Sequence, residues 1–176
     1  MIIIIRGQTH SGKTYLAQKL LEKYHFPYLS IDHIKMGLIR SKNCSLTPYS
    51  SELELTNYLW PIIKEIIKTN IENNQNLIVE GIYIPCNINN DFEENYKKHI
   101  KTVNIIFSEK YIKDNYSIIK EFSSAIESRF VQEDLTKEEL IIKHKTNLDE
   151  CIKNKTEYYL INTVNDFKEL VNKITL

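Results

Sequence analysis

The sequence predicts an α/β fold in which a mostly parallel, five-stranded sheet is covered by helices on both faces, and three observations predict it. Short apolar runs rich in β-formers alternate with segments of helical periodicity along the chain. The runs are continuously apolar, as expected of strands buried on both faces. The first, Ile2-Ile3-Ile4-Ile5, leads directly into the glycine-containing loop Gly7-Gln8-Thr9-His10-Ser11-Gly12-Lys13-Thr14, with a helical pattern behind it.

The elements follow in order. Strand one is Ile2 to Ile5, and the helix from about Lys13 to Tyr24 carries Leu16, Ala17, Leu20, Leu21 and Tyr24 at helical spacing. Pro27 breaks the chain before a short strand, Tyr28 to Ile31. Asp32 then stands as a cap candidate for a helix containing Ile34, Leu38 and Ile39. After a loop from Lys42 to Pro48, Ser51 and Glu54 form a capping-box pattern for a long helix. Its apolar stripe runs from Leu55 to Ile71, and Pro61 predicts a kink or a break near Trp60. Leu77-Ile78-Val79 is a buried strand ending at Glu80-Gly81. A helix over about Asp91 to His99 and a strand from Thr102 to Phe107 follow. Tyr111 to Phe130 and Thr136 to Lys155 read as two helices, the second opened by a Thr136/Glu139 capping box. Tyr158 to Ile161 is the last strand, and Val164, Phe167, Leu170, Val171 and Ile174 mark a closing amphipathic helix. The expected organisation is a single domain over residues 1–176, with a lid region at about 111–150.

The loop matches G-x-x-x-x-G-K-[ST] at every fixed position. The chain has only four glycines, and two of them fill the positions where the motif needs a side-chain-free backbone. The chemistry follows from the spacing. Loop amides from Gly7, Gln8, Thr9, His10, Ser11 and Gly12 can wrap a phosphate, and the next helix adds its positive N-terminus. Lys13 reaches the β- and γ-phosphates, and the Thr14 hydroxyl sits on Mg²⁺. The side chain of His10 is expected to point outward while the backbone binds.

Composition narrows the partner. Lys plus Arg and Asp plus Glu each number 23, which argues against a nucleic-acid or membrane surface and for a small molecule. Cys44, Cys86 and Cys151 lack metal-type spacing and point to reduced thiols in a cytoplasmic protein. The opening apolar run is too short for a signal peptide or a membrane span. His33, His99 and His144 show no ligand spacing, and Trp60 and the helical tyrosines read as core or pocket wall.

The loop, an Asp at the tip of strand two, an acidic-Gly pair at the tip of strand three and a helical hairpin before the last strand together resemble the P-loop kinase superfamily. That group includes nucleoside monophosphate kinases and 2-phosphoglycerate-kinase-like, zeta-toxin-like and chloramphenicol-phosphotransferase-like enzymes. The resemblance implies a P-loop NTPase three-layer sandwich with strand order 2-3-1-4-5, and ATP with Mg²⁺ as the bound species. Ser30-Ile31-Asp32-His33-Ile34-Lys35 is similar to the Asp-x-x-Arg pattern of these kinases, with Lys35 in place of the arginine. It implies that Asp32 receives the acceptor and that Lys35 and Arg40 read an anionic part of it. Glu80 is implied as a metal or substrate contact. Arg129 is the one arginine in the lid region and is implied to stabilise the transferring phosphoryl group, with Lys137, Lys143 and Lys145 as further charge. Asn162 and Thr163 lie where relatives let the main chain edge the adenine.

Three function classes follow. The first is transfer of the γ-phosphoryl group of ATP to a small-molecule acceptor, a hydroxyl fitting better than a nucleoside monophosphate because the chain has only three arginines to clamp a second phosphate. The adenylate-like kinase is the alternative within that class. A switch hydrolase is disfavoured, since Asn154-Lys155-Thr156-Glu157 ends in the wrong acid for guanine reading and no D-x-x-G is present. The third is a nucleotide-binding regulatory ATPase without transfer activity.

Overall fold

In the structure, a computed structural model describing residues 1–122 and 135–176, the central strand owes its position to its sequence. β1 (Ile2–Gly7) has every residue buried. Successive side chains of a strand point to opposite faces, and the four isoleucines divide accordingly. Ile3 and Ile5 join one apolar cluster with Leu16, Leu20 and Ile112, whereas Ile2 and Ile4 join another with Leu59, Ile63 and Ile67. A continuous apolar run therefore fills two cores at once. Truncating any of these isoleucines to alanine should cost about 2–5 kcal/mol.

Around β1 lie β2 (Tyr28–Ser30), β3 (Leu77–Gly81), β4 (Ile100–Phe107) and β5 (Tyr159–Ile161), all parallel, in the order β2-β3-β1-β4-β5. Crossovers are made by α1 (Lys13–Tyr24), α2 (Ile31–Arg40), α3 (Glu52–Glu72), the single-turn α4 (Glu94–Lys97), α5 (Glu109–Phe122) and α6 (Lys137–Asn154), with α7 (Val164–Lys173) after the last strand. One cluster joins α1, α5, α6 and α7 to the sheet; the other joins α2, α3 and the segment after β3. The α/β class and the strand order are as the sequence implied. No helix among the described residues is long and apolar enough to cross a membrane.

Several elements differ from expectation. Of the kink or break expected near Trp60, the break does not form, and α3 runs through Pro61 as one helix. The ring lies on an exposed face, and Asn57, whose carbonyl loses its donor, is exposed as well, so water can donate to that carbonyl instead. The expected helix over 91–99 shrinks to a 3-10 turn, Asn89–Asp91, and α4. Tertiary anchors override the local pattern there: the Trp60 indole donates to Asp91 Oδ2 at 3.0 Å, Phe92 packs edge-on to Trp60 with centroids 6.1 Å apart, and the backbone of Phe92 is extended. Asp32 is not the cap of α2. Ser30 holds that position in extended backbone, and Asp32 falls within the first turn, where a carboxylate still favours the positive helix end. Asn115 interrupts the helical dihedrals of α5. Both capping boxes read from the sequence, Ser51/Glu54 and Thr136/Glu139, are formed, and a third forms at Thr163/Asp166.

Candidate phosphate-binding and acceptor site

The loop between β1 and α1 has the backbone of an anion cradle. His10 has φ of 60° and Gly12 has φ of 78°, both left-handed, with Ser11 between them. Left-handed residues set among right-handed ones turn successive N–H groups toward one concavity. A Cβ on Gly12 would meet Phe167 Cζ at 2.6 Å, and one on Gly7 would meet Ser11 Oγ at 2.5 Å and the Ile105 carbonyl at 2.9 Å. Both glycines are thus required by close approach, Gly12 by its dihedral also. Lys13 is buried and its Nζ donates to the Gln8 carbonyl at 2.8 Å, curling back over the loop.

Parallel strands present their carboxyl ends on one edge, and register aligns the acidic group with the loop. Glu80 pairs with Ile5 of β1 on one side and Ser30 of β2 on the other. It is 3% exposed, and Thr14 Oγ1 donates to its Oε1 at 3.4 Å. A hydroxyl and a carboxylate, both hard oxygen donors, are the kind of incomplete set that holds Mg²⁺, which keeps waters and phosphate oxygens for its other positions. The residues present therefore fit that ion. Among the described residues no cluster of three or more His, Cys, Asp or Glu forms a protein-only metal cage.

At the tip of β2 the predicted pair is joined by Tyr83, a residue to which the sequence reading assigned no role. Lys35 Nζ donates to Asp32 Oδ1 at 2.5 Å and to the Tyr83 hydroxyl at 2.9 Å, and lies 4.9 Å from the Tyr83 ring centroid. Burial pushes the Lys35 ammonium down, but the Asp32 carboxylate and the Tyr83 hydroxyl outweigh it and hold its pKa above the ordinary lysine value. Burial raises the Tyr83 phenol, so that it stays protonated. The carboxylate of Asp32 remains partly open, with 36% side-chain exposure against 13% for Lys35. Gly81 makes this corner possible, because a Cβ there would stand 3.0–3.1 Å from three atoms of Ile31 at the start of α2. Arg40, exposed at the far end of α2, is eight residues from Asp32, roughly 12 Å of helix rise. The structure does not bring it to this group. Arg129 lies outside the described residues.

Behind the loop stands His144, which its spacing alone did not single out. It is 1% exposed, stacks on Phe107 at 5.0 Å with the rings parallel, and its Nδ1 accepts the Phe107 amide at 2.9 Å. An accepting Nδ1 puts the proton on Nε2, which has no hydrogen-bond partner among the described residues. Burial first, then the charges of Lys13 and His10, push its pKa down to about 3. The imidazole is neutral beside a cationic loop. On α6 it faces inward while Lys143 is half-buried and Lys145 exposed.

Arg6, directly before the motif, is structural. Buried in β1, it donates through Nε to the Ile84 carbonyl at 2.8 Å, through Nη1 to Asn147 Oδ1, and through Nη2 to Glu150 Oε2 at 2.6 Å. The amides of Asn162 and Thr163 are both engaged by Asp166 Oδ2, each at 2.9 Å.

The chain matches no protein-family model and no curated protein. Solved structures give the fold. Deoxyadenosine kinase from M. mycoides superposes with a TM-score of 0.57 at 13% identity, over 98% of each chain. Shikimate kinase from Bacteroides thetaiotaomicron gives 0.56 at 14% identity, over 98% of this chain and 95% of the other. A sugar kinase from Janibacter sp. gives 0.54 at 12%, over 98% and 90%. The fold is that of the P-loop kinases. At these identities the likeness speaks for architecture alone, and the residues carry the chemical reading.

The residues that sequence reading missed, Tyr83, His144 and Phe167, share one property. Each lies in an element far along the chain from the residue it serves, and only strand order brings the pair together. Tyr83 had one local signal: it follows Glu80-Gly81 by two residues, at the end of a strand whose tip faces the crevice.

Proposed function

We propose that this protein is an ATP- and Mg²⁺-dependent phosphotransferase that moves the γ-phosphoryl group to a hydroxyl of a small molecule. One observation carries the reading: the loop that would hold phosphates follows β1 and the Asp32–Lys35–Tyr83 group stands at the tip of β2, the two strands that flank β3, with Glu80 of β3 between them in register. The named acceptors of the structural neighbours, shikimate, deoxyadenosine and sugars, are all hydroxyl-bearing small molecules, which agrees with it.

In this reading the loop amides and Lys13 hold the β- and γ-phosphates. Thr14 and Glu80 would hold Mg²⁺, which would supply positive charge against the negative charge that develops during transfer. Asp32 accepts the proton of the acceptor hydroxyl as its oxygen attacks the γ-phosphorus and the bond to the bridging oxygen breaks, releasing ADP. Lys35, fixed by Tyr83, orients the carboxylate and supplies positive charge at the acceptor end. A nucleoside monophosphate acceptor is disfavoured. Its phosphate needs a clamp, yet Arg40 stands far from Asp32 and Lys35 is already engaged on two sides. The placement of Arg129 in transfer belongs to the same proposal.

The test is ADP formation by the whole chain with ATP and Mg²⁺ across a panel of polyols, sugars, nucleosides and nucleoside monophosphates. Acceptor-dependent turnover on a hydroxyl compound, lost in Lys13→Ala and reduced at least 100-fold in Asp32→Asn, is the expected result. ADP formation indifferent to every acceptor would replace the kinase with a hydrolase. The absence of heat on titrating magnesium nucleotide into folded protein would remove the nucleotide site itself.

A further inference from the structure

Away from the phosphate loop, two thiols from distant parts of the chain meet. Cys86 lies on the segment after β3 and Cys151 on the last turn of α6, and their sulfurs are 3.6 Å apart. Cys86 Sγ also lies 3.3 Å from Thr156 Oγ1, whose residue folds back so that its amide donates to the Cys151 carbonyl at 3.0 Å. The pairing is not a chance of side-chain rotation. Arg6 grips the Ile84 carbonyl, two residues before Cys86, and the Glu150 carboxylate, one residue before Cys151, so a single guanidinium ties the segment carrying Cys86 to the helix carrying Cys151. The two sulfurs differ in access: Cys86 is half-buried and Cys151 fully buried. The third cysteine, Cys44, lies in the loop between α2 and α3, its sulfur 3.9 Å from the Leu46 carbonyl.

We propose that Cys86 and Cys151 are an oxidisable dithiol that closes to an intramolecular disulfide, with a low-molecular-weight disulfide of the glutathione type as oxidant. The difference in access sets the order of events. Cys86 loses its proton to solvent, and its sulfur attacks one sulfur of the oxidant. The oxidant's S–S bond breaks, one thiol leaves, and a mixed disulfide remains on Cys86. Cys151 Sγ then attacks Cys86 Sγ, its proton passing to the second departing thiol. Two protein thiols are thereby oxidised and one small disulfide is reduced to two thiols. Burial pushes the Cys151 thiol up to about 11, which makes it a poor first nucleophile. Contact distance from the sulfur it must attack compensates in the second step. The bond would fasten the segment carrying Tyr83 to α6. It depends only on the thiol geometry and stands apart from the phosphotransferase reading.

The test is incubation of the full chain with oxidised glutathione, alkylation of remaining thiols, and tryptic mapping without reduction. The expected product is a joined pair of peptides carrying Cys86 and Cys151, lighter by two hydrogen atoms than their sum. Its protein should melt several degrees higher, a gain reversed by dithiothreitol. Cys86→Ser, at the half-buried position, should lose both the link and the gain while retaining its circular dichroism spectrum; Cys44→Ser should keep both. A glutathione adduct that persists on Cys86 beside an alkylated Cys151 would overturn the proposal, as would a link that uses Cys44.

Discussion

Acidification should expose the burial of His144 as a loss of stability. The native imidazole stays neutral down to about pH 3, whereas in the unfolded chain it titrates near 6.5. A histidine with a depressed native pKa binds its proton more readily unfolded, so stability is full above 6.5 and falls as the pH drops from there toward 3. The slope is about 1.4 kcal/mol per pH unit once well below 6.5, which amounts to about 2 kcal/mol between about pH 7.5 and about pH 5. The whole span to pH 3 would reach roughly 4–5 kcal/mol, a large part of what a domain this size commands. Other groups titrate in the same window, so the measurement is a difference. Urea unfolding would be followed at each pH for the native sequence and for His144→Asn, whose amide oxygen can take the Phe107 N–H in place of Nδ1. The variant should be less stable at neutral pH, having lost the ring stacked on Phe107, yet its profile should be flatter by that same ~2 kcal/mol. Parallel profiles would show that His144 is protonated or exposed in the native state, and the account of its burial would fail.

Gly12→Ala should combine two penalties that can be separated. The φ of 78° costs an L-residue about 1–2 kcal/mol, and the new Cβ would stand 2.6 Å from Phe167 Cζ. Adding Phe167→Ala should relieve the second penalty and leave the first, a coupling that a double-mutant cycle in chemical denaturation would read. Tyr83→Phe should remove the hydroxyl that Lys35 donates to while leaving the ion pair with Asp32. An acceptor KM raised about tenfold, with the nucleotide KM unchanged, is expected from losing a charge-assisted bond worth about 1.5 kcal/mol; equal effects on both would place Tyr83 in general stability instead.

What was legible in the sequence divides by distance along the chain. The phosphate loop, the Ser51 and Thr136 capping boxes and the Ile2-to-Ile5 strand are specified by residues adjacent to one another, and spacing alone exposes them. The pairing of Thr14 with Glu80 could be expected only through the strand order that the family resemblance implied. Lys35 was visible as a neighbour of Asp32 one helical turn on, but its second anchor, Tyr83, comes from the far side of β3. The segment at 91–99 misled because its polar-apolar pattern suits a helix, while the indole of Trp60 and the carboxylate of Glu72 on α3 hold it by its side chains. Asp32 is not the cap because the helix begins two residues earlier than a cap at that position requires, with Ser30 in its place. His144 offered no signal, since a histidine among lysines on an amphipathic stretch looks solvated until the fold turns it inward.

The guanidinium of Arg6 has a mechanical consequence. It is bonded at once to the segment after β3 and to two side chains of α6, so that helix cannot lift from the sheet without stranding a cation in an apolar interior, a loss of several kcal/mol. Fraying of this flank by itself is thereby suppressed, and the second half of α6 should come away only when the whole sheet does. A charge set one residue ahead of the loop acts as a rivet, holding still the wall against which nucleotide binding would be felt.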